Sequence, residues 1–118
     1  MKYGLSSPEY SGNNAGFYRS ANNDTDFHTL TASNFTSLTS GSLSGDFIEL
    51  TFENKGTDKM YLKLKSSTAS DATSTALEVP AENSVRVTPG TIIGSQISYK
   101  KTVASDDLQI SASFGELV

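Results

Sequence analysis

Between positions 46 and 65 large apolar and polar side chains alternate with the two-residue period of strands that bury one face. Phe47, Ile48, Leu50 and Phe52 make one largely apolar strand, and Met60, Leu62 and Leu64 alternate with Tyr61, Lys63 and Lys65 in a second. Residues 54–58, Asn-Lys-Gly-Thr-Asp, concentrate turn formers between them. The spacing therefore predicts a hairpin, with Glu49 and Glu53 facing Lys63 and Lys65 across it. The same period returns in shorter runs at 76–79, 84–87, 91–93 and 96–101, and in Leu108, Ile110, Ala112 and Phe114. Turn formers at 80–83, 89–90 and 106–107 and a Ser/Thr loop at 66–75 separate them. No window carries the i, i+3, i+4, i+7 stripe of an amphipathic helix, so at most one short helical turn is expected. The expectation is an all-β fold: an antiparallel β-sandwich or barrel, jelly-roll-like, with an extended N-terminal arm. Its core is expected from Phe47, Ile48, Leu50, Phe52, Leu62, Leu64, Val79, Val85, Val87, Ile97, Ile110 and Phe114.

The first 45 residues break the pattern. They are rich in Asn, Gly, Ser and Thr, and their large side chains are thinly spread. Such a segment buries too little apolar surface to offset its own ordering, but spaced aromatics suit an arm that docks on a neighbour. The chain thus divides into an arm over residues 1–25 and a single β-sandwich domain over residues 26–118. Tyr3, Leu5, Tyr10, Phe17 and Tyr18 are the candidate partner-binding residues of the arm. For residues 26–45, strands of the sandwich and loop both stay open.

Composition narrows the function classes. A chain of 118 residues suits one domain. Ser and Thr supply 32 positions, where a charged surface is more usual. No cysteine is present, which removes disulfides, thiol nucleophiles and thiolate zinc sites, and a single histidine leaves no imidazole pair for a metal. A net charge of -4 argues against binding duplex nucleic acid. No apolar run has the length of a membrane span or the form of a secretory signal, so synthesis is expected to end in the cytoplasm.

Four constellations invite a chemical reading. Oxygen side chains at Asn22, Asn23, Asp24, Thr25 and Asp26 alternate like the start of a calcium loop, but the glycine and the distal glutamate are missing, and a turn explains them. His28 beside Asp24 or Asp26 needs an opposed serine to act as a general base, and no spacing supplies one. Glu49 with Glu53, and Asp106 with Asp107, lack the spacing of a hydrolytic acid pair. Lys55, Lys59, Lys63 and Lys65 with Tyr61 resemble a nucleic-acid stacking strip, yet cross-strand pairing with acids accounts for them. No catalytic residue, cofactor or metal is expected.

The run FIELTFENKGTDKMYLKLKSSTASDATSTALEVPAENSVRV is similar to a pattern in small virion proteins of tailed bacteriophages. A strand, an Asn/Gly/Thr turn, a strand and a Ser/Thr loop are followed by a "proline, small residue, polar, Ser, Val" turn. The resemblance covers about a third of the chain. It implies a non-enzymatic β-sandwich subunit of a phage particle, a capsid decoration, cement or fibre-base protein. Its implied partner is the major capsid protein or another virion protein, and it implies a homo-oligomer, trimer favoured, carried on the virion after synthesis in the host cytoplasm. The alternative is a carbohydrate-binding β-sandwich module that offers Tyr61, Tyr99, Tyr10 and Tyr18 to sugars, although tryptophan is absent.

Overall fold

A computed structural model of the chain describes residues 10–20, 22–38, 43–65, 76–88 and 93–117. These form β1 (Tyr10–Arg19), β2 (His28–Leu30), a single 3₁₀ turn (Ala32–Asn34), β3 (Thr36–Ser37), β4 (Asp46–Asn54), β5 (Met60–Leu64), β6 (Leu77–Val79), β7 (Ser84–Val87), β8 (Ile97–Lys101) and β9 (Leu108–Leu117). One sheet has the order β3-β1-β9-β4-β7 and the other β2-β8-β5-β6. Every pairing is antiparallel. Apart from the edge strand β3, these orders are those of a jelly roll, in which the chain passes from sheet to sheet at almost every turn.

That topology corrects two expectations. Residues 54–58 are not a hairpin turn: β4 and β5 lie in opposite sheets, and the segment arches between them. Alternation reports which face of a strand is buried but not which strand lies beside it, so a hairpin and an arch read alike. The acids of β4 consequently face other partners, Glu49 meeting Arg86 at 3.3 Å and Glu53 meeting Lys55 at 3.9 Å. The second correction concerns the arm. Tyr10–Arg19 is an internal strand, hydrogen-bonded to β9 from Tyr10↔Leu117 to Arg19↔Gln109 and to β3 on its other side. Its low aliphatic content is tolerated because β9 and β3 supply the ladder partners and only every second side chain turns inward. Tyr18 points into the sandwich and packs on the core, Phe17 lies on the outer face opposite Ser111, and Tyr3 and Leu5 fall outside the described residues.

The core forms between the sheets, where cross-strand rows superpose. Tyr18, Ile110, Phe52 and Val85 make one row of the first sheet, and Tyr99, Leu62 and Leu77 make one of the second. Of the twelve expected core residues, nine are buried and Leu64 and Val85 pack partly against the cluster. Ile48 is the exception. The register of β4 on β9 slips between Phe47 and Glu49, so Ile48 is the extra residue of a β-bulge that lets Phe47 and Leu50 both turn inward. The segment before β4 contributes Leu30, Ala32, Phe35 and Leu43. The Phe35 ring meets those of Phe47, Phe114 and Tyr18 at 5.4, 5.1 and 5.8 Å.

Candidate functional site at the loop end

The arches that follow β1, β4 and β8 and the one between β6 and β7 all meet at one end of the sandwich. Backbone bonds knit them: Asn54 N–H donates to Asn83 O at 2.9 Å, and Lys55 N–H donates to Asp107 O at 3.0 Å. Polar side chains that the jelly roll buries here do the rest.

Lys101, the last residue of β8, lies in the inward row with Met60 and is almost wholly buried. Its ammonium donates to Asn22 O at 2.8 Å, Ala104 O at 2.8 Å and Asp106 O at 3.0 Å, so its three N–H groups each find a carbonyl. The Asp106 carboxylate is buried against the next arch, where it accepts from Thr57 N–H at 2.9 Å, Thr57 Oγ1 at 3.0 Å and Asp58 N–H at 3.2 Å. Gly56 is required beside it, because a Cβ there would stand 2.6 Å from Asp106 Cβ. Asn54 is satisfied in the same way: its Nδ2 donates to Asp58 O and Val79 O at 2.8 and 2.9 Å, and its Oδ1 accepts from Gly56 N–H at 2.8 Å.

Further contacts surround His28. Its Nε2 lies 2.7 Å from Asp24 Oδ1, and its ring stacks on that of Tyr99 with centroids 5.6 Å apart. Asp24 Oδ1 also accepts from Asp26 N–H at 3.0 Å and Asn22 Nδ2 at 3.3 Å. Together the hydrogen bonds from His28, Asp26 and Asn22 hold the Asp24 carboxyl below its ordinary value. The Tyr99 hydroxyl donates to Asn22 Oδ1 and shares a 2.8 Å bond with Tyr18 Oη, and burial pushes its pKa up. Lys100 Nζ donates to Thr25 O.

Of the sequence candidates, Asn22, Asp24, His28, Asp106 and Asp107 gather at this end, each in hydrogen bonds within or between the arches. His28 Nε2 is engaged by Asp24, and among the described residues no serine oxygen bonds the ring. In the supposed calcium loop Asn22 Oδ1 accepts from Tyr99 and Ser20, and the main-chain carbonyls of Asn22 and Thr25 accept from Lys101 and Lys100. Among the described residues no three acidic or imidazole side chains converge as metal ligands. Asp106 and Asp107 diverge, Asp107 pairing with Arg19 at 2.9 Å. The lysine strip is divided: Lys59 meets Glu78 at 3.4 Å, whereas Lys63 is buried with its ammonium 4.4 Å from the centre of the Phe27 ring. Of the tyrosines considered for sugar stacking, Tyr99 is fully buried and Tyr18 faces the interior, while Tyr61 remains partly exposed. The sequence marks Asn54 as a turn former able to bond nearby amides, as its Oδ1 does with Gly56 N–H, whereas Lys101 passes unremarked. The signal for both is their position, each a polar residue closing a strand where an arch begins.

Comparison of the chain with protein families, with characterised proteins and with solved structures finds no match.

Proposed function

We propose that the chain is a non-enzymatic structural subunit of a tailed-phage particle, decorating or cementing its shell or seating a fibre. The observation that carries the reading is the turn pattern over residues 47–87 that resembles small virion proteins, whose turns at 54–58 and 80–83 are the inter-sheet arches of the loop end. Two further points support it. Jelly rolls recur among viral capsid proteins, an argument from fold alone that admits lectins equally. The chemically suggestive side chains spend their hydrogen bonds on holding arches together, which suits a rigid building part. Tyr3 and Leu5, outside the described residues, stay the partner-binding candidates of this reading.

Co-expression with the capsid protein of the same genome tests the reading. The chain should sediment with assembled shells at a fixed stoichiometry, and recovery in the low-mass fraction alone would sink it. Capsid, portal and tail genes beside its own gene would support it independently, whereas glycan-degrading neighbours would favour the sugar-binding alternative.

A further inference from the structure

The outer face of the five-stranded sheet carries a groove of about 420 Å³, whose lining includes Ala15, Leu38, Glu49, Thr51, Arg86 and Ser111. Its shape follows from side-chain size. Phe17, Ser111, Thr51 and Arg86 stand in one cross-strand row from β1 to β7, and Ala15, Ser113 and Glu49 stand in the next. Ala15, Ser111, Ser113 and Thr51 thus give the middle of the face a low floor. Long side chains rise on either flank. Leu38, whose N–H donates to Ala15 O at 3.0 Å, continues β3 beside β1 and is 64% exposed. Arg86 on β7 meets Glu49 at 3.3 Å. From Ala15 to Arg86 the face spans three strand spacings, about 14 Å.

The polar groups of this groove are not spent as those of the loop end are. Among the described residues nothing bonds the hydroxyls of Thr51 and Ser111. Arg86 gives one N–H group to Glu49 Oε2 and keeps the rest of its guanidinium donors, and Glu49 keeps its other oxygen. We propose that the groove binds a short neutral oligosaccharide. A pyranose ring has a face of C–H groups and a rim of hydroxyls that both donate and accept. Leu38 and Ala15 meet the C–H face, and Thr51 and Ser111 bond hydroxyls of the rim. The Arg86–Glu49 pair takes two neighbouring hydroxyls, donating to one and accepting from the other. A small number of placed polar groups beside an apolar wall is the usual make-up of a ligand groove of this volume. Charge selects the class. One guanidinium against one carboxylate leaves the groove without net charge, so a phosphate or a uronate would set its own charge against Glu49. Strands β1, β9 and β4 have neighbours on both sides, so the main-chain bonds that an extended peptide would need are already made. The site uses none of the tyrosines considered for sugar stacking, and it stands whether or not the chain is carried on a particle.

Titration of the full chain with maltotriose, cellotriose and chitotriose, followed by amide and methyl NMR shifts, tests the site. At least one of the three should bind and move the signals of Leu38, Thr51, Arg86 and Ser111 together. Arg86→Ala should weaken that sugar about tenfold, the loss of a hydrogen bond to a charged group, and Thr51→Ala about fivefold, the loss of a neutral one, with circular dichroism spectra unchanged. Leu38→Ser should weaken it as well, whereas Leu77→Ser, at the other exposed leucine, should leave it unaltered. Trigalacturonate, an acidic trisaccharide, should bind about tenfold more weakly than the neutral sugar. Binding of none of the three neutral sugars, equal or tighter binding of the acidic one, shifts clustered elsewhere on the molecule, or groove variants that bind as the parent does would each overturn the proposal. So would a mass in light scattering that rises with concentration and falls to one chain in the Arg86→Ala variant, because a second copy would then occupy the face.

Discussion

The interior and the loop end hold the same strands together by opposite means. Between the sheets, Phe47, Phe52, Leu62, Ile110 and Phe114 are held by non-directional burial, and one apolar side chain of similar volume can replace another. At the loop end, Lys101, Asp106 and Asn54 are buried too but are held by bonds of fixed direction, each closed by named partners. The first region tolerates substitution that preserves volume. The second does not tolerate substitution that preserves volume alone, because a carbonyl or amide left dry costs its full desolvation.

The largest effects should come from cavities in the interior. Ile110→Ala or Leu62→Ala should cost about 2–5 kcal/mol in denaturant unfolding. A loss below about 1 kcal/mol would mean that the interior relaxes around the cavity and that the contrast is misdrawn. The sharper comparison uses one replacement in both places. Leu62→Met should cost less than about 1.5 kcal/mol, because it conserves volume. Lys101→Met keeps most of the stem but strips three carbonyls of their donor, and should cost about 1–3 kcal/mol or more. Asp106→Ala should fall in the same range, about 1–3 kcal/mol, by orphaning the Thr57 and Asp58 amides. Equal, small costs for the two methionine variants would erase the distinction between the regions.

The same distinction decides what could be read from sequence. Alternation located β4, β5 and β9 and most of the core, since Leu108, Ile110, Ala112 and Phe114 turn inward as a two-residue period requires. The all-β sandwich class followed from the same signal. Alternation is silent on partners, and so β4 and β5 read as a hairpin although they belong to different sheets. It also failed where apolar content is low: β1 reads as an arm because its place between β3 and β9 is fixed by contacts at the far end of the sequence. Lys63 was expected on a wet face, and Phe27 covers it from another segment. At the site, Asp24 and His28 were visible as near neighbours in sequence. Lys101 with Asn22, and Asp106 with Thr57, come together only through the arches.

Tyr99 joins the two regions, with its ring in the interior and its hydroxyl in the loop-end network, so it divides the contributions. Tyr99→Phe keeps the ring and removes the bonds to Tyr18 and Asn22, and should cost about 1 kcal/mol. The buried hydroxyl's pKa is raised above the ordinary 10.0, so its contribution is complete below that value and is lost as pH rises toward the folded pKa. The parent should therefore lose stability more steeply than the Tyr99→Phe variant above about pH 10, measured as the difference in Tm. Parallel alkaline limbs would place the hydroxyl in contact with water and outside the network.

The smallest effect should lie at the exposed rim of the loop end, in the Asp24–His28 pair. Here the side chains are 41% and 33% exposed, and solvent screens what the buried groups feel in full. The Asp24 carboxyl is held below its ordinary 3.8, first by the His28 bond and then by Asp26 N–H and Asn22. A depressed carboxylate pKa stabilises the fold above the unfolded value, and the gain is lost as pH falls through the folded one. Asp24→Asn should thus lower Tm slightly at neutral pH, and the gap to the parent should close as pH drops below 3.8. His28→Gln should narrow the same gap at neutral pH, because it removes the largest of the three contributions to the carboxylate. A gap that persisted at roughly pH 2, where carboxylates are protonated, would show that Asn disturbs the arch through its shape and not its charge. The rim would then follow the directional rule of the buried loop end and not the screened electrostatics of a surface pair.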